Sequence, residues 1–220
     1  MPATNHRYFV TGTDTDVGKT LVTASLALSL RIAGESPTIV KLVQTGLSQG
    51  MPGDAARAGK LAATRYLELA RFEKAADPWS AALAQGAAEV HAYELVDTLN
   101  SIDGAVVAEG AGGIMVPLNP HENFGSVAQQ AKLEVVVAIG LRKGSLNHAL
   151  LTINLCEQLR LPVAGAVLVE RWKGTDPSYG DDVLRALHGK LRVIGTLPYE
   201  PDEAASVKVA ANLFEPLLAR

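Results

Sequence analysis

The segment Gly12-Thr13-Asp14-Thr15-Asp16-Val17-Gly18-Lys19-Thr20 contains the residue types that hold the phosphates of a nucleotide. Glycine and small residues let backbone N–H groups turn towards an anion, and the helix predicted to begin at Lys19 adds a partial positive charge. The Lys19 ammonium can reach the β- and γ-phosphates, and the Thr20 hydroxyl is a natural ligand for Mg²⁺. The segment has Thr13 where the common form of this loop has a glycine, with the glycine one position earlier. Because a predicted strand precedes it and a helix follows, a nucleoside triphosphate site is favoured over a chance Gly-Lys-Thr at a helix start.

Lys41 lies in a predicted strand of mostly apolar residues, Thr38 to Val43, and the chain opens into a loop near Gly46. A lysine in a buried parallel strand is costly unless its ammonium meets an anion at the carboxyl end of the strand, where open α/β sheets bind ligands. The alternative is a lysine on an edge strand whose side chain extends into solvent. Next to a phosphate loop, the anion-binding role is favoured.

Two carboxylates could complete such a site. Asp54 follows Gly50-Met51-Pro52-Gly53 and begins a predicted helix, so it is either an N-cap or a ligand. Glu109 ends a strand of four apolar residues and precedes Gly110-Ala111-Gly112-Gly113. A carboxylate at the end of a parallel strand is well placed to bind Mg²⁺ opposite the phosphate loop.

Composition narrows the classes of protein to which the chain can belong. Its 220 residues are 48% hydrophobic and 20% charged, with a net charge of −3, which favours one globular domain over residues 1–220 and argues against nucleic-acid binding. No uncharged apolar run is long enough to span a membrane, and residues 1–8 do not resemble a signal peptide. The single cysteine, Cys156, is typical of a reducing compartment, so a cytoplasmic location is expected.

Short β-branched runs alternate with helical patterns along the whole chain, which is typical of a doubly wound α/β fold with a mostly parallel sheet and helices on both faces. The predicted strands are Arg7–Val10, Thr38–Val43, Ala105–Ala108, Glu134–Ile139, Val163–Val169 and Leu191–Ile194. The predicted helices are Lys19–Ala33, Asp54–Ala63, Ala92–Leu99, Phe124–Ala131, Leu146–Leu159, Tyr179–Leu187 and Glu203–Leu218. The least regular stretch, residues 48–85, is expected to contain helices and loops without a central strand.

Four motifs in this order carry a resemblance to the dethiobiotin synthetase family, within the P-loop NTPase superfamily. They are Gly12 to Thr20, Lys41-Leu42-Val43-Gln44-Thr45-Gly46, Glu109-Gly110-Ala111-Gly112-Gly113 and Gly144-Ser145-Leu146-Asn147-His148. The resemblance implies ATP-dependent closure of a ureido ring in biotin synthesis. In that reaction 7,8-diaminononanoate takes up CO₂ as a carbamate, the γ-phosphate of ATP activates the carbamate as a carbamic–phosphoric anhydride, and the second amine attacks it.

The resemblance also implies roles for individual residues, in a site that must hold much negative charge. The catalytic residues would be Lys41, beside the carbamate, and Lys19, on the phosphates. Thr20, Asp54 and Glu109 would bind Mg²⁺, and Thr15 and Thr45 would contact the diamine or its carbamate. The nucleotide would be contacted by Asp16, Val17, Gly18, Lys19, Thr20, Leu21, Asp54, Glu109, Gly110, Ala111, Gly112, Pro198, Tyr199 and Glu200.

The segment beginning at Gly144 precedes a long amphipathic helix. Taken alone it is an ordinary helix start with Ser145 as its cap. The resemblance implies instead that Gly144 and Asn147 bind the carboxylate tail of the substrate in the neighbouring subunit of a homodimer, at an active site on the subunit interface.

Three positions depart from the family pattern. Leu42 stands where the family usually has proline after the catalytic lysine, and Ser80-Ala81-Ala82 stands where many members have Ser-Pro-His. Val169-Glu170 replaces the Asn-Asp pair that reads adenine in many members, which removes the amide donor and acceptor for the base. Other nucleoside triphosphates are therefore expected to serve beside ATP.

Two other classes of protein are alternatives to the dethiobiotin synthetase family. An amidoligase of the cobyric-acid type normally has an additional glutamine-hydrolysing domain, for which this chain is too short. A partition or positioning ATPase typically has a second lysine early in the phosphate loop, but Thr13 to Asp16 contain none and the C-terminal helix lacks a basic amphipathic face.

Overall fold

Residues 6–218 are described by the computed structural model, and a seven-stranded parallel sheet runs through them in the order β4-β2-β6-β1-β7-β8-β9. A second, two-stranded sheet pairs β3 with β5. The strands are β1 (Arg7–Gly12), β2 (Thr38–Lys41), β3 (Gln44–Thr45), β4 (Arg65–Glu68), β5 (Arg71–Phe72), β6 (Val106–Gly113), β7 (Glu134–Gly140), β8 (Val163–Val169) and β9 (Val193–Leu197).

Helices cover both faces of the large sheet. They are α1 (Lys19–Ile32), α2 (Asp54–Ala62), α3 (Pro78–Gln85), α4 (Ala92–Asn100), α5 (Phe124–Gln130), α6 (Ser145–Gln158), α7 (Pro177–Leu187), α8 (Glu203–Ala211) and α9 (Glu215–Leu218), with a 3₁₀ turn at Asn212–Phe214. One apolar core lies between the sheet and α4 to α7, and the other between the sheet and α1, α2 and α8. The doubly wound α/β fold expected from the sequence is thus confirmed.

The order of the strands determines where ligands can bind. β1 lies at the centre, and the chain continues from it to β2 on one side and, after β6, to β7 on the other. At such a reversal the loops after the central strands diverge and leave a crevice at the carboxyl ends of the strands. The loops after β1, β2 and β6 all lie at this edge, and they carry many of the residues predicted to form the site.

Two features of the structure were not predicted from the sequence, each for an identifiable reason. The single helix predicted over Glu203–Leu218 ends at Ala211, because Pro216 has no N–H and its ring would clash with the carbonyl four residues earlier in a continuous helix. Residues 48–85 contain no central strand, as expected, but β4 pairs with β2 at the edge of the large sheet. The side chains of β4 are mostly exposed, so the strand lacks the apolar pattern by which it could have been recognised.

Among residues 6–218, none of the helices is both long enough and apolar enough to cross a membrane.

Candidate active site

The phosphate loop between β1 and α1 has the backbone conformation that its glycines allow. Gly18 has φ +95°, in the left-handed region that L side chains rarely adopt, and it is the N-cap of α1. A Cβ on Gly12 would lie 2.7 Å from the carbonyl oxygen of Asp14 and from a methyl of Val17, so the displaced glycine noted in the sequence is required by close packing. The loop is therefore tightly folded.

Lys19 is buried at the start of α1, and its Nζ donates to the carbonyl oxygen of Asp14 at 2.9 Å. Burial lowers the pKa of Lys19 below its ordinary value, although the charge of Glu109 opposes the effect. The ammonium thus closes its own loop and is placed at the position where nucleotide phosphates would enter.

Lys41 is the last residue of β2, and its ammonium lies between two carboxylates. Its Nζ is 2.6 Å from Asp54 Oδ2 and 2.8 Å from Glu109 Oε1, and it donates to the carbonyl oxygen of Gly110 at 3.1 Å. The side chain is only 2% exposed, which excludes the solvent-exposed lysine considered from the sequence. Lys41 is therefore a buried cation at the carboxyl end of the sheet.

The charge of Lys41 is fixed by its neighbours. Burial would lower the pKa of the lysine, but the attraction of Glu109 and Asp54 and their hydrogen bonds outweigh that cost, so its pKa is raised. Lys41 therefore remains protonated at neutral pH and can counter a negative charge brought into the site.

Glu109 has one satisfied and one unsatisfied oxygen. Its Oε1 accepts from Lys41 and, at 3.1 Å, from the Thr20 hydroxyl, whereas the buried Oε2 has no hydrogen-bond partner. A buried carboxylate oxygen without a partner is costly, and a hard cation would satisfy it.

No cluster of three or more His, Cys, Asp or Glu side chains with metal-binding geometry occurs among residues 6–218. Two carboxylates and a hydroxyl suit Mg²⁺, which binds few protein ligands together with phosphates and water.

Asp54 is not the helix cap that the sequence left open. Gly53 is the N-cap of α2 and Asp54 is the first helical residue, so its carboxylate is directed to Lys41 instead of the helix backbone. Its side chain is 33% exposed, in contrast to the buried Glu109, so it faces the open part of the site.

A cavity of about 580 Å³ joins these groups. Twelve residues predicted from the sequence line it: Thr15, Asp16, Gly18, Lys19, Thr20, Leu21, Lys41, Thr45, Asp54, Glu109, Ala111 and Gly112. Lining residues that were not predicted include Gln44, Arg57 and Arg171. Gln44 belongs to a motif quoted from the sequence, and Arg171 directly follows the pair that aligns with the family's base-reading residues, so the sequence offered a reason to consider both. It offered no reason to consider Arg57, because an exposed arginine on a helix is ordinary.

Seven predicted residues lie outside the cavity lining: Val17, Gly110, Gly144, Asn147, Pro198, Tyr199 and Glu200. Val17 is buried in the core, and Gly110 offers its carbonyl to Lys41. Pro198 to Glu200 follow β9, where the Tyr199 N–H donates to Glu170 at 3.3 Å. Gly144 and Asn147 are exposed at the start of α6.

The family departures have distinct structural effects. The Leu42 N–H donates to the Glu109 carbonyl at 3.0 Å, a bond that proline could not make, so β2 and β6 remain paired beside the site. Ala81 and Ala82 are fully buried in the core and do not line the cavity. Val169 is buried against Gly18 and presents no polar group to a base.

Outside this cavity, neither a second groove nor the buried Cys156 offers comparable chemistry. A larger, open groove of about 1060 Å³ beside α2 and β4 has a basic rim that includes Arg31, Lys60 and Arg65, without a phosphate loop or paired carboxylates. Cys156 is buried in α6, and burial raises the pKa of its thiol to about 11, so it is unsuited to be a nucleophile.

Solved structures share the fold. A MinC:MinD cell division complex from Aquifex aeolicus matches with a TM-score of 0.61 at 14% identity, over 98% of this chain and 96% of that chain. A plasmid partition protein from Borrelia burgdorferi B31 bound to AMPPNP matches with a TM-score of 0.62 at 14% identity, over 97% and 98% of the two chains. At such low identity the likeness concerns the fold alone.

Sequence relatives identify the family. The model of an AAA domain matches residues 6–206. An ATP-dependent dethiobiotin synthetase BioD from Rhodococcus jostii (strain RHA1) is 38% identical over 92% of this chain and 90% of the relative. A second, from Anaeromyxobacter dehalogenans (strain 2CP-C), is 34% identical over 93% and 95%. These matches cover nearly the full length of both proteins, so the chain belongs to the ATP-dependent dethiobiotin synthetase family.

Proposed function

We propose that this protein is an Mg²⁺- and ATP-dependent cyclo-ligase that converts 7,8-diaminononanoate and CO₂ to dethiobiotin, in biotin biosynthesis. The observation that carries the proposal is the buried ammonium of Lys41, held between Asp54 and Glu109 beside a folded phosphate loop. A permanent cation next to a triphosphate site suits a reaction whose substrate, intermediate and leaving group are all anionic.

The reaction balances without an additional reactant. One amine of the diamine bonds to the carbon of CO₂ and loses a proton, giving a carbamate. A carbamate oxygen attacks the γ-phosphorus, and the bond from that phosphorus to the oxygen of ADP breaks. The second amine then attacks the carbamate carbon, the bond to the phosphate oxygen breaks, and the ring closes with loss of a proton and release of phosphate.

Each residue around the cavity has a separate task in this scheme. Lys41 counters the charge of the carbamate and of the phosphoryl group as it is transferred. Lys19, whose ammonium donates to the Asp14 carbonyl, exchanges that carbonyl for the β- and γ-phosphates. Thr15 and Thr45 line the cavity and can donate hydroxyl hydrogen bonds to the diamine or its carbamate. No covalent bond to the protein is required.

Thr20, Asp54 and Glu109 would hold Mg²⁺. The unsatisfied Oε2 of Glu109 supports this assignment, and the hydroxyl and carboxylate donors are the hard oxygen ligands that Mg²⁺ prefers. When bound, the ion supplies charge neutralisation and orientation of the phosphates.

We propose further that the chain is a single domain acting as a cytoplasmic homodimer with an active site at the subunit interface. Gly144 and Asn147 are exposed and do not line the cavity of their own chain, so a contact with the substrate tail suits the opposite subunit. No side chain caps the N-terminus of α6. The Ser145 N–H donates to the Arg142 carbonyl at 3.0 Å, and the N–H groups of the next residues are suited to a carboxylate. In the preceding loop, Arg142 pairs with Asp14 of the phosphate loop, so the two segments are adjacent.

Phosphate release tests the proposed function directly. We expect release from ATP to depend on both 7,8-diaminononanoate and bicarbonate, and dethiobiotin to form in equal amount. A nucleotide switch of the partition type would hydrolyse ATP at a rate that ignores both additions, and that result would contradict the proposal.

The nucleotide base is expected to be weakly selected. Val169 is buried and nonpolar at the position of the adenine-reading amide, and one lost bidentate contact is worth about 1–3 kcal/mol. We therefore expect kcat/KM to differ between ATP and either CTP or GTP by less than about a hundredfold. Turnover with the four triphosphates measures this ratio. A thousandfold preference for ATP would mean that other groups read the base in place of the amide.

A further inference from the structure

The first turn of α2 is capped from a distance by Gln44. The N-cap residue, Gly53, has no side chain to accept from the free N–H groups that begin every helix. Gln44 Oε1 fills this role and accepts from the Asp54 N–H at 2.9 Å. Gln44 is only 5% exposed, and its Nε2 donates to the Thr45 carbonyl at 3.1 Å, which fixes the orientation of the amide.

The chain before Asp54 is closely packed at Gly53. A Cβ on Gly53 would lie 2.4 Å from Glu68 Oε2, 2.9 Å from Gln44 Oε1 and 3.0 Å from Arg71 Nη2. Arg71 also donates to the carbonyls of Ser48 and Met51, at 3.0 and 2.9 Å, and so holds the preceding loop. The backbone at Gly53 is therefore packed between Gln44 on one side and the Glu68–Arg71 pair on the other.

The position of the Asp54 carboxylate follows from this packing. Its Oδ2 is 2.6 Å from Lys41 Nζ, and a displacement of about 1 Å at a reacting site can lower a rate by about a hundredfold. Because the N–H and the carboxylate belong to the same residue, the bond that holds the Asp54 backbone also holds the point from which its side chain reaches Lys41.

We propose that Gln44 is a positioning residue for the ring-closing reaction, which acts by holding Asp54 at its distance from Lys41. The assignment rests on the proposed function for its kinetic consequence, whereas the contact between Gln44 and Asp54 is testable without catalysis. Gln44 lines the cavity, so the rival role to be separated is a direct contact with the substrate.

Gln44→Met, which keeps the length of the side chain and removes its polar atoms, is the main variant. Amide hydrogen exchange at Asp54 should accelerate at least about tenfold, and kcat should fall about 10- to 100-fold with little change in the KM for the diamine. The matched control is Gln85→Met, because Gln85 Oε1 likewise accepts a backbone N–H, that of Glu73 at 2.7 Å, away from the cavity. The control should leave both readouts unchanged.

A double-mutant cycle with Asp54→Asn tests whether Gln44 acts through Asp54. The loss from Gln44→Met should largely disappear in the Asp54→Asn background, since the carboxylate that Gln44 positions is then absent. Gly53→Ala disturbs the same place from the other side, because its methyl would lie 2.4 Å from Glu68 Oε2 and 2.9 Å from Gln44 Oε1, and it should reproduce both effects. Unchanged exchange at Asp54, additive losses in the cycle, or a loss confined to the KM for the diamine would each overturn the proposal. Failure of the wild-type protein to form dethiobiotin would instead remove the proposed function and leave the exchange result valid.

Discussion

Dethiobiotin formation is expected to fall by about 10³-fold or more when Lys41 is replaced by glutamine, while ATP binding stays within a few-fold of wild type. The amide preserves much of the side-chain volume but supplies no positive charge to the carbamate or the transferred phosphoryl group. In the proposed site the nucleotide phosphates would be held mainly by the loop around Lys19, which this substitution leaves unchanged. Product formation at saturating substrates and titration with ATP separate the two effects.

The same substitution should also lower stability. Glu109, only 1% exposed, loses its cation, and removing one partner of a buried ion pair typically costs about 3–5 kcal/mol. The thermal unfolding of the variant should therefore be measured together with its activity, so that activities are compared only between folded proteins. Lys60→Gln, an exposed lysine on the same helix as Asp54, is the control and should retain full activity. Product formation near the wild-type rate by folded Lys41→Gln protein would refute the assigned role of the lysine.

Mixing two inactive variants should restore about a quarter of wild-type activity if the active site is shared between subunits. Asn147→Asp places a negative charge against the substrate carboxylate and should prevent binding, whereas Lys41→Gln stops the chemistry. In a mixed dimer one site carries both changes and the other carries neither. Random pairing makes about half of the dimers mixed, each with one intact site of two.

Subunit exchange has to be verified before this result is interpreted. Differently tagged subunits, purified through both tags, show that mixed dimers have formed. If activity then stays at the level of the separate variants, Lys41 and Asn147 act within one chain, and the shared-site hypothesis is wrong.

The sequence predicted features that depend on residues close together in the chain. The phosphate loop is predicted from a Gly-Lys-Thr between a strand and a helix, and the structure gives the reason for two of its glycines: Gly18 has a left-handed φ and Gly12 is closely packed. The doubly wound α/β class followed from continuous apolar strands alternating with helices. The edge strand β4 was missed because exposed strands lack this pattern.

The active-site contacts were decided by the tertiary structure. Lys41 meets Asp54 and Glu109, which are 13 and 68 residues away in the chain. The sequence placed all three near the same sheet edge, but it left Asp54 open as a helix cap and Lys41 open as an exposed lysine. The choice was settled by the order of the strands, which puts β2 beside β6, and by the position of α2 against β2.

Gln44 and Arg171 show, at single residues, the same difference between what the sequence predicts and what the tertiary structure decides. Both stand within or beside motifs that the sequence made visible, yet their types fit many surface or core positions equally well. The task of Gln44 exists only because Gly53 leaves the first turn of α2 without a cap and the fold brings a distant acceptor to it. Local steric requirements can be recognised from the residue types themselves. A hydrogen bond between separate segments depends on where packing places both of its ends, and packing is a property of the whole chain.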